Sequence, residues 1–447
     1  MFKKIYGLVL FLLFSLTACG QDAEDIPPPS HAEPDHSIYD WKTEDWRYSD
    51  EMYTGGTYYL EKYISGLEYQ PEQEYDNIFS QYRCLGANIY ALSEYSMYND
   101  SSDNNLFYLN CYEDTTGEIW HRRIELPMME EYRNMVFSVS SFDILNPQEY
   151  VLFVNVLEEE KTRAYLAMHF SMEGDFLSAI DLYPAMQASE GCIIESATGQ
   201  TFFTNVYVDG EEQYFLEADN RVVVLDAAGK PLAELTWDKE DSTAFYAMKT
   251  AQGEPVFELH SNAEQERCLV MYDSTASQGR FFTQQLPFTA PKAISNDNVL
   301  YYGDSGSLYR WNLYTGDNGI CFNYEKLGLG RNNFMTHIAI SDTGFPLILD
   351  RSREKAIICK LGPEPGEEGD PIRLASLVKD SSFINSSAVM FSQEHMEHPI
   401  LMQQAEGSLA DFRTRALADL IAGNGADIYY VSGEDMRSLY EKGVLAD

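Results

Sequence analysis

Glu394-His395-Met396-Glu397-His398 is the densest run of potential metal ligands in the chain. Zinc-binding histidines on one helical face stand at i and i+4, whereas His395 and His398 stand at i and i+3. No third ligand accompanies them, so the run reads as a solvated helix end and predicts no metal. Loop carboxylates at Asp100, Asp103 and Asp297 lack the EF-hand spacing with its closing Glu. They read as turn residues, a common use of Asp. His121, His169 and His260 are isolated and read as packing or surface residues. The chain has no GxSxG, no HExxH and no P-loop. Six of its seven cysteines, Cys84, Cys111, Cys192, Cys268, Cys321 and Cys359, are far apart and show no CxxC. Several sit in apolar runs such as Phe107 to Cys111, which reads as small buried hydrophobes and not as a disulfide or metal framework. These residues predict no catalysis and no cofactor.

Composition narrows the class of partner. At 447 residues the length suggests about two or three domains. Apolar residues make up 45% and aromatics 13%, enough to bury a large core. Against 71 acidic residues stand 31 basic ones, a formal net charge of −40. Nucleic-acid binding requires basic surface to displace phosphate counterions, so that class is excluded. The acidity suits a soluble surface but names no partner.

Lys3 and Lys4 precede an apolar stretch, Ile5 to Leu16, that is shorter than the roughly 20 residues a spanning helix needs. It suits the h-region of an export signal. The following Leu16-Thr17-Ala18-Cys19 resembles the lipobox of bacterial lipoproteins. That resemblance implies removal of residues 1–18 as a signal peptide and acylation of the Cys19 thiol. The protein would then be lipid-anchored to the outer face of the bacterial cytoplasmic membrane. Residues 19–50 are acidic and carry Pro27, Pro28, Pro29 and Pro34, the composition of a stiffened tether.

Residues 51–361 alternate β-branched and aromatic runs with Gly, Asp and Asn turns. Paired runs include Ala87 to Glu94 with Leu106 to Tyr112, Tyr150 to Leu157 with Arg163 to Phe170, and Pro255 to His260 with Arg267 to Asp273. Turn glycines recur at Gly117, Gly174, Gly229, Gly279 and Gly316. Multi-stranded repeats of about 40 to 50 residues mark β-propeller blades. Leu308 to Gly316 resembles the strand-turn element of quinoprotein-like and WD-type propellers. Asp304-Ser305-Gly306-Ser307 resembles the structural Asp-box turn of sialidases. Six hairpin pairs predict six blades, or seven if Gly56 to Tyr63 helps close the ring; a pair of β-sandwiches is the competing architecture.

Residues 362–371, Gly-Pro-Glu-Pro-Gly-Glu-Glu-Gly-Asp-Pro, form a linker. Beyond it the hydrophobic period changes from two to about 3.6. Strands are expected at Ile372 to Leu377, Pro399 to Gln404 and Ala426 to Ser432. Helices are expected at Ser386 to His395 and Leu409 to Ala422. The order β-α-β-α-β predicts a parallel sheet. Leu420 to Ile428, Tyr429 to Gly433 and Leu439 to Leu445 resemble the N-terminal lobe of family 1 extracellular solute-binding proteins, with Ala426 where that family commonly has Pro. Those are lipid-anchored receptors of ABC importers, often for sugars. The fold class is therefore mainly β, a six- or seven-bladed propeller followed by a partial α/β periplasmic-binding-protein-like domain at 372–447.

The resemblance implies ligand contacts from the loops after the first and third strands, here Lys379 and Asp380, and Ser432 and Glu434. It also implies an ABC permease as partner, a small solute such as a sugar as ligand, and a longer protein, because the first lobe is unfinished at Asp447. An exported propeller enzyme, of glycoside hydrolase or lyase type, and a structural envelope lipoprotein are the alternatives. Replacing Cys19 with Ser is expected to abolish labelling by radioactive palmitate and to move the protein from the membrane to the soluble fraction.

Overall fold

The computed structural model describes residues 58–441 except 72–74, 98–104, 134, 160, 196–200, 219, 238–241, 251–252, 264–265, 275–277, 285–291, 296 and 304–306. Also outside it are 324–334, 351–355, 364–371, 379–383, 385–386, 389–390, 392–399, 404–408 and 423–424. The expected signal peptide and tether and the His395–His398 pair therefore lie outside the described residues.

Six four-stranded antiparallel sheets form a six-bladed β-propeller. Blade 6 takes its outermost strand, β1 (Tyr59–Ser65), from the start of the described chain. Blade 1 holds β2 (Tyr75–Leu85), β3 (Asn88–Met97), β4 (Leu106–Glu113) and β5 (Glu118–Ile124). Blade 2 holds β6 (Val136–Asn146), β7 (Glu149–Glu158), β8 (Lys161–Ser171) and β9 (Phe176–Asp181). A short helix α1 (Tyr183–Ala188) and the hairpin β10 (Ile193–Glu195) and β11 (Thr201–Phe203) lead into blade 3. Blade 3 is β12 (Val206–Val208), β13 (Tyr214–Ala218), β14 (Arg221–Leu225) and β15 (Pro231–Thr236). Blade 4 is β16 (Ser242–Lys249), β17 (Pro255–Ser261), β18 (Glu266–Asp273) and β19 (Gln278–Gln284). Blade 5 is β20 (Lys292–Ile294), β21 (Val299–Gly303), β22 (Ser307–Asn312) and β23 (Asn318–Asn323). Blade 6 adds β24 (Met335–Ile340), β25 (Pro346–Asp350) and β26 (Ile357–Gly362).

Packing follows from the two-residue period of a strand. In β7, Tyr150, Leu152, Val154 and Val156 face blade 1, while Val151 and Phe153 face blade 3. Both faces are apolar, so the strand reads as a continuous hydrophobic run and not as an alternating one. Six such cores fill the six blade-to-blade seams. Cys111, Cys192, Cys268, Cys321 and Cys359 are buried in these seams, in keeping with their apolar sequence context. The ring closes through β1, whose Ile64 lies opposite Ile358 of β26. A seventh blade is thereby corrected: the segment expected to add one supplies a strand to the sixth.

The repeat is also visible in the turns. In blades 3 to 6 the inner hairpin begins at Asp209, Thr250, Ser295 and Ser341, whose side-chain oxygens accept the N–H four residues on, at 2.8–3.2 Å. The residue three positions on from each has a positive φ: Glu212 60°, Gly253 87°, Asn298 60° and Gly344 82°. Only two of the four are glycine, which hides the period from a glycine count. Gly117, Gly174, Gly229 and Gly316 sit in the outer hairpins with φ of 70–94°. Gly279 instead lies inside β19.

Buried ion pairs cross two seams. Asp114, after β4, accepts Lys360 Nζ of blade 6 at 2.7 Å, the Tyr112 hydroxyl at 2.8 Å and the Asp342 N–H at 3.0 Å. Glu258 of blade 4 accepts Arg267 at 3.1 Å and Lys292 of blade 5 at 2.7 Å. Beyond the ring, β27 (Ile372–Ser376) pairs in parallel with β28 (Ile400–Gln403) on one side and with β29 (Ile428–Tyr430) on the other. Helix α2 (Leu409–Ala422) lays Phe412 and Ala416 on Ala375 and Leu377, and α3 (Gly433–Glu441) follows β29. The predicted parallel order is present, with a shorter third strand than expected.

Burial raises the pKa of Asp114, but the three hydrogen bonds outweigh it and hold the carboxyl below its ordinary value. A depressed folded pKa stabilises the fold above the unfolded value, about 3.9, and that stability is lost as pH falls through the folded value. Replacing Lys360 with Met leaves a buried, unpaired carboxylate, so a loss of about 3–5 kcal/mol is expected at neutral pH. In urea titrations the difference from the parent protein should shrink below about pH 4.

Candidate functional site

The inner strands bring charge to the propeller axis. Arg83 of β2 is 9% exposed, and its guanidinium carbon lies 5.6 Å from the Phe142 ring of blade 2, 5.2 Å from Tyr207 of blade 3 and 5.8 Å from Tyr246 of blade 4. Tyr207 and Tyr246 stack at 4.1 Å with planes 8° apart. Such faces attract a cation, and more strongly once water is excluded. Arg83 Nε is 3.8 Å from Asp143 of β6. Asp143 is held harder elsewhere: it meets Lys249 Nζ of blade 4 at 2.9 Å and accepts the N–H groups of Val208 and Ile144 at 2.9 and 2.8 Å. Lys249 also donates to the Ile144 carbonyl at 2.6 Å.

Four blades therefore meet in one ionic knot. Burial lowers the Lys249 pKa, opposed chiefly by the charge of Asp143. A lysine of depressed pKa is a familiar nucleophile, but this side chain is only 2% exposed and its ammonium already meets Asp143 and the Ile144 carbonyl. Close by, burial and then the Arg83 charge push His337 down to about 3, so its imidazole is neutral. The knot fastens the ring.

A concave recess lies beside it, between the inner hairpins of blades 3 and 4. Its volume is about 330 Å³, and its walls include Asp209, Glu211, Gln213, Phe215, Glu254 and Tyr272. Burial raises the pKa of Asp209, against backbone hydrogen bonds from Gln213 and Glu211. Burial also raises Glu254, against a hydrogen bond from Thr250, and the charge of Glu211 adds to the shift. Asp209 is committed to its turn, since its Oδ1 accepts the N–H groups of Glu211 and Gln213 at 2.9 and 2.8 Å. Glu211 is exposed at the rim. The recess can hold a polar guest against carboxylates and rings.

Of the residues expected to bind ligand, Cys19, Lys379 and Asp380 lie outside the described residues. Ser432 is partly exposed, and its carbonyl accepts the Met436 N–H at 2.9 Å, which starts α3. Glu434 falls in the first turn of that helix. The Gly-Ala-Asp of the solute-receptor resemblance holds the sheet together. Asp427 accepts the Arg373 N–H at 2.8 Å, and that bond above all holds its pKa below the ordinary range. A Cβ on Gly425 would collide with the Tyr429 hydroxyl and the Leu420 backbone. Among the isolated histidines, His169 packs in the core with its Nε2 2.7 Å from the Tyr214 hydroxyl, and His121 Nδ1 is 2.9 Å from Asn110.

Sequence reading passed over Arg83, Asp143, Lys249, Glu211 and Glu254. Arg83 and Asp143 stand inside apolar runs, Tyr82 to Leu85 and Phe142 to Leu145, and a charge set in such a run is a readable sign of a buried partner. The partner's identity is not readable, because it comes from another blade.

No family model and no curated protein matches the chain. Among solved structures, an oligogalacturonate lyase in complex with manganese is similar at 9% identity, covering 63% of this chain and 88% of its own, with a TM-score of 0.38. The Neurospora crassa Pan2 WD40 domain is similar at 8% identity, covering 69% and 97%, with a TM-score of 0.37. The propeller domain of the Trilobed protease from Pyrococcus furiosus is similar at 9% identity, covering 62% and 78%, with a TM-score of 0.33. Likeness at this level carries no argument about activity, and the six-bladed assignment rests on the sheet topology itself. None of these comparisons supports a solute-receptor lobe, so that assignment for residues 372–447 is withdrawn to a proposal. What is established there is a three-stranded parallel sheet with helices.

Replacing Lys249 with Met is expected to destabilise the propeller by about 3–5 kcal/mol, because Asp143 stays buried without its ammonium. Denaturation of a double-mutant cycle with Asp143→Asn should show coupling of at least about 1 kcal/mol.

Proposed function

We propose that this protein is a lipid-anchored binding protein of the bacterial envelope whose C-terminal α/β segment belongs to the receptor of an ABC importer. One observation carries the reading. Strand β27 pairs directly and in parallel with β29, with Ser376 opposite Tyr430 and the Leu377 N–H donated to the Tyr430 carbonyl at 2.8 Å. The two loops that follow these strands therefore leave the same edge of the sheet side by side. In this reading Ser432 and Glu434, at the start of α3, and Lys379 and Asp380, which follow Val378 in the sequence, contribute to the ligand site. Open parallel sheets bind ligands beyond the carboxyl ends of their strands.

The export signal and Cys19 support an envelope address. No helix among the described residues is long and apolar enough to cross a membrane; in this reading attachment is through a lipid on Cys19. The ligand class is a small polar solute, with sugars first. The propeller serves as a binding and spacing module ahead of the receptor, and the reading assigns it no catalysis.

The test is thermal melting of the protein as encoded in its genome, including any residues beyond Asp447, against a panel of mono- and oligosaccharides. A sugar at a hundredfold its Kd stabilises the folded state by about 2.7 kcal/mol, a shift of several degrees. Asp380→Ala and Glu434→Ala should remove the shift. Absence of a shift with every sugar, or an unchanged shift in both variants, would reject the reading.

A further inference from the structure

We infer that the C-terminal α/β segment is carried at the membrane with the propeller projecting outward, so that the partner of the segment is a protein of the same bilayer. The inference rests on the lipid-anchored reading above and adds an orientation to it. One pairing carries it. Strand β1 runs antiparallel to β26, with Tyr59 opposite Gly362. The chain therefore enters the ring from the tether side, and leaves it toward residue 372, at one corner of blade 6. Paired strands lie about 5 Å apart, so the two attachments are immediate neighbours.

The entry point is fastened to the ring. The Tyr58 N–H is donated to the Cys321 carbonyl of blade 5 at 2.7 Å, and the Tyr58 ring meets Phe345 of blade 6 edge-on at 4.9 Å. Its hydroxyl lies 3.2 Å from the Tyr301 hydroxyl of blade 5. At the other end of β1, Leu67 is buried with Ile89 and Tyr112 of blade 1, and the Tyr69 N–H is donated to Asn110 of the same blade at 3.2 Å. Residues 58–69 therefore clasp three blades, and the ring is held at a defined corner.

Lengths then set the orientation. A coil as long as residues 19–57 spans about 35 Å. A chain as long as residues 363–371 keeps Ile372 within about 35 Å of Gly362 even at full extension. A folded ring of about 300 residues is about 50 Å across. The ring is wider than the tether is long, so the attached corner stays nearest the bilayer and blade 3, opposite blade 6, stays farthest. The α/β segment hangs from the near corner, within reach of a membrane-embedded partner.

Energy transfer to a rhodamine-bearing lipid tests the orientation, with the lipidated full-length protein on phosphatidylcholine vesicles. A donor dye is attached through an azide-bearing phenylalanine analogue placed, one at a time, at Tyr440 of α3, Tyr314 of blade 5 and Leu232 of blade 3, all exposed. Transfer should be several-fold higher from position 440 than from position 232. Position 314, one blade from the attachment, should fall between them. Flotation of the same samples with the vesicles reads the anchor separately. Protein that floats but shows equal transfer from positions 440 and 232, or more from 232, would overturn the orientation while leaving the anchor in place. Protein that does not float would reject the anchor and the orientation together.

Discussion

Every blade of this protein is a sheet with two apolar faces, and that single constraint organises the molecule. Tyr150 and Leu152 belong to one seam while Val151 and Phe153, on the same strand, belong to the next. A sheet built this way cannot leave either face to water, so it needs a neighbour on both sides. A ring is the arrangement in which every sheet has two neighbours. Strand β1 gives blade 6 its fourth strand and covers an edge that β26 would otherwise present to solvent.

Charge is distributed in keeping with that constraint. The chain is strongly acidic overall, yet Arg83, Lys249, Arg267, Lys292 and Lys360 are all buried, each beside Asp143, Glu258 or Asp114. Two of these pairs, Lys360 with Asp114 and Lys249 with Asp143, join blades distant in sequence. A buried charge tolerates few arrangements, so each pair also opposes alternative blade registers, whatever its net contribution to stability. With so many cations turned inward, recesses on the surface inherit the acidity of the chain. The hollow between blades 3 and 4 is one of them.

The C-terminal segment obeys a different rule. Its strands run the same way, and α2 carries the chain back from β28 to β29, so strand ends gather on one edge. The residues that most resemble a solute receptor, Gly425 to Asp427, are there for structural reasons: a glycine where no Cβ fits, and a carboxylate that ties β29 to β27. Resemblance in such residues speaks first to a shared way of building a sheet.

How much was legible depended on the range of the interaction. Strand pairs, turn glycines, the change of period after residue 371 and the apolar setting of the cysteines are local patterns, and a strand or helix displays its own period in its own residues. Blade number was only bracketed, because the left-handed turn position is filled by Glu212 and Asn298 as well as by glycine. The ionic knot at the axis and the acidic recess were not legible at all. Arg83, Asp143, Tyr207 and Lys249 come from four different blades, and Glu211 meets Glu254 only across a seam. The amino-acid order by itself determined that this chain would make small antiparallel sheets followed by a parallel one. Which charges would face each other, and where a hollow would remain, was decided only when the ring closed, since those neighbours are set by blade packing and not by the spacing of residues along the chain.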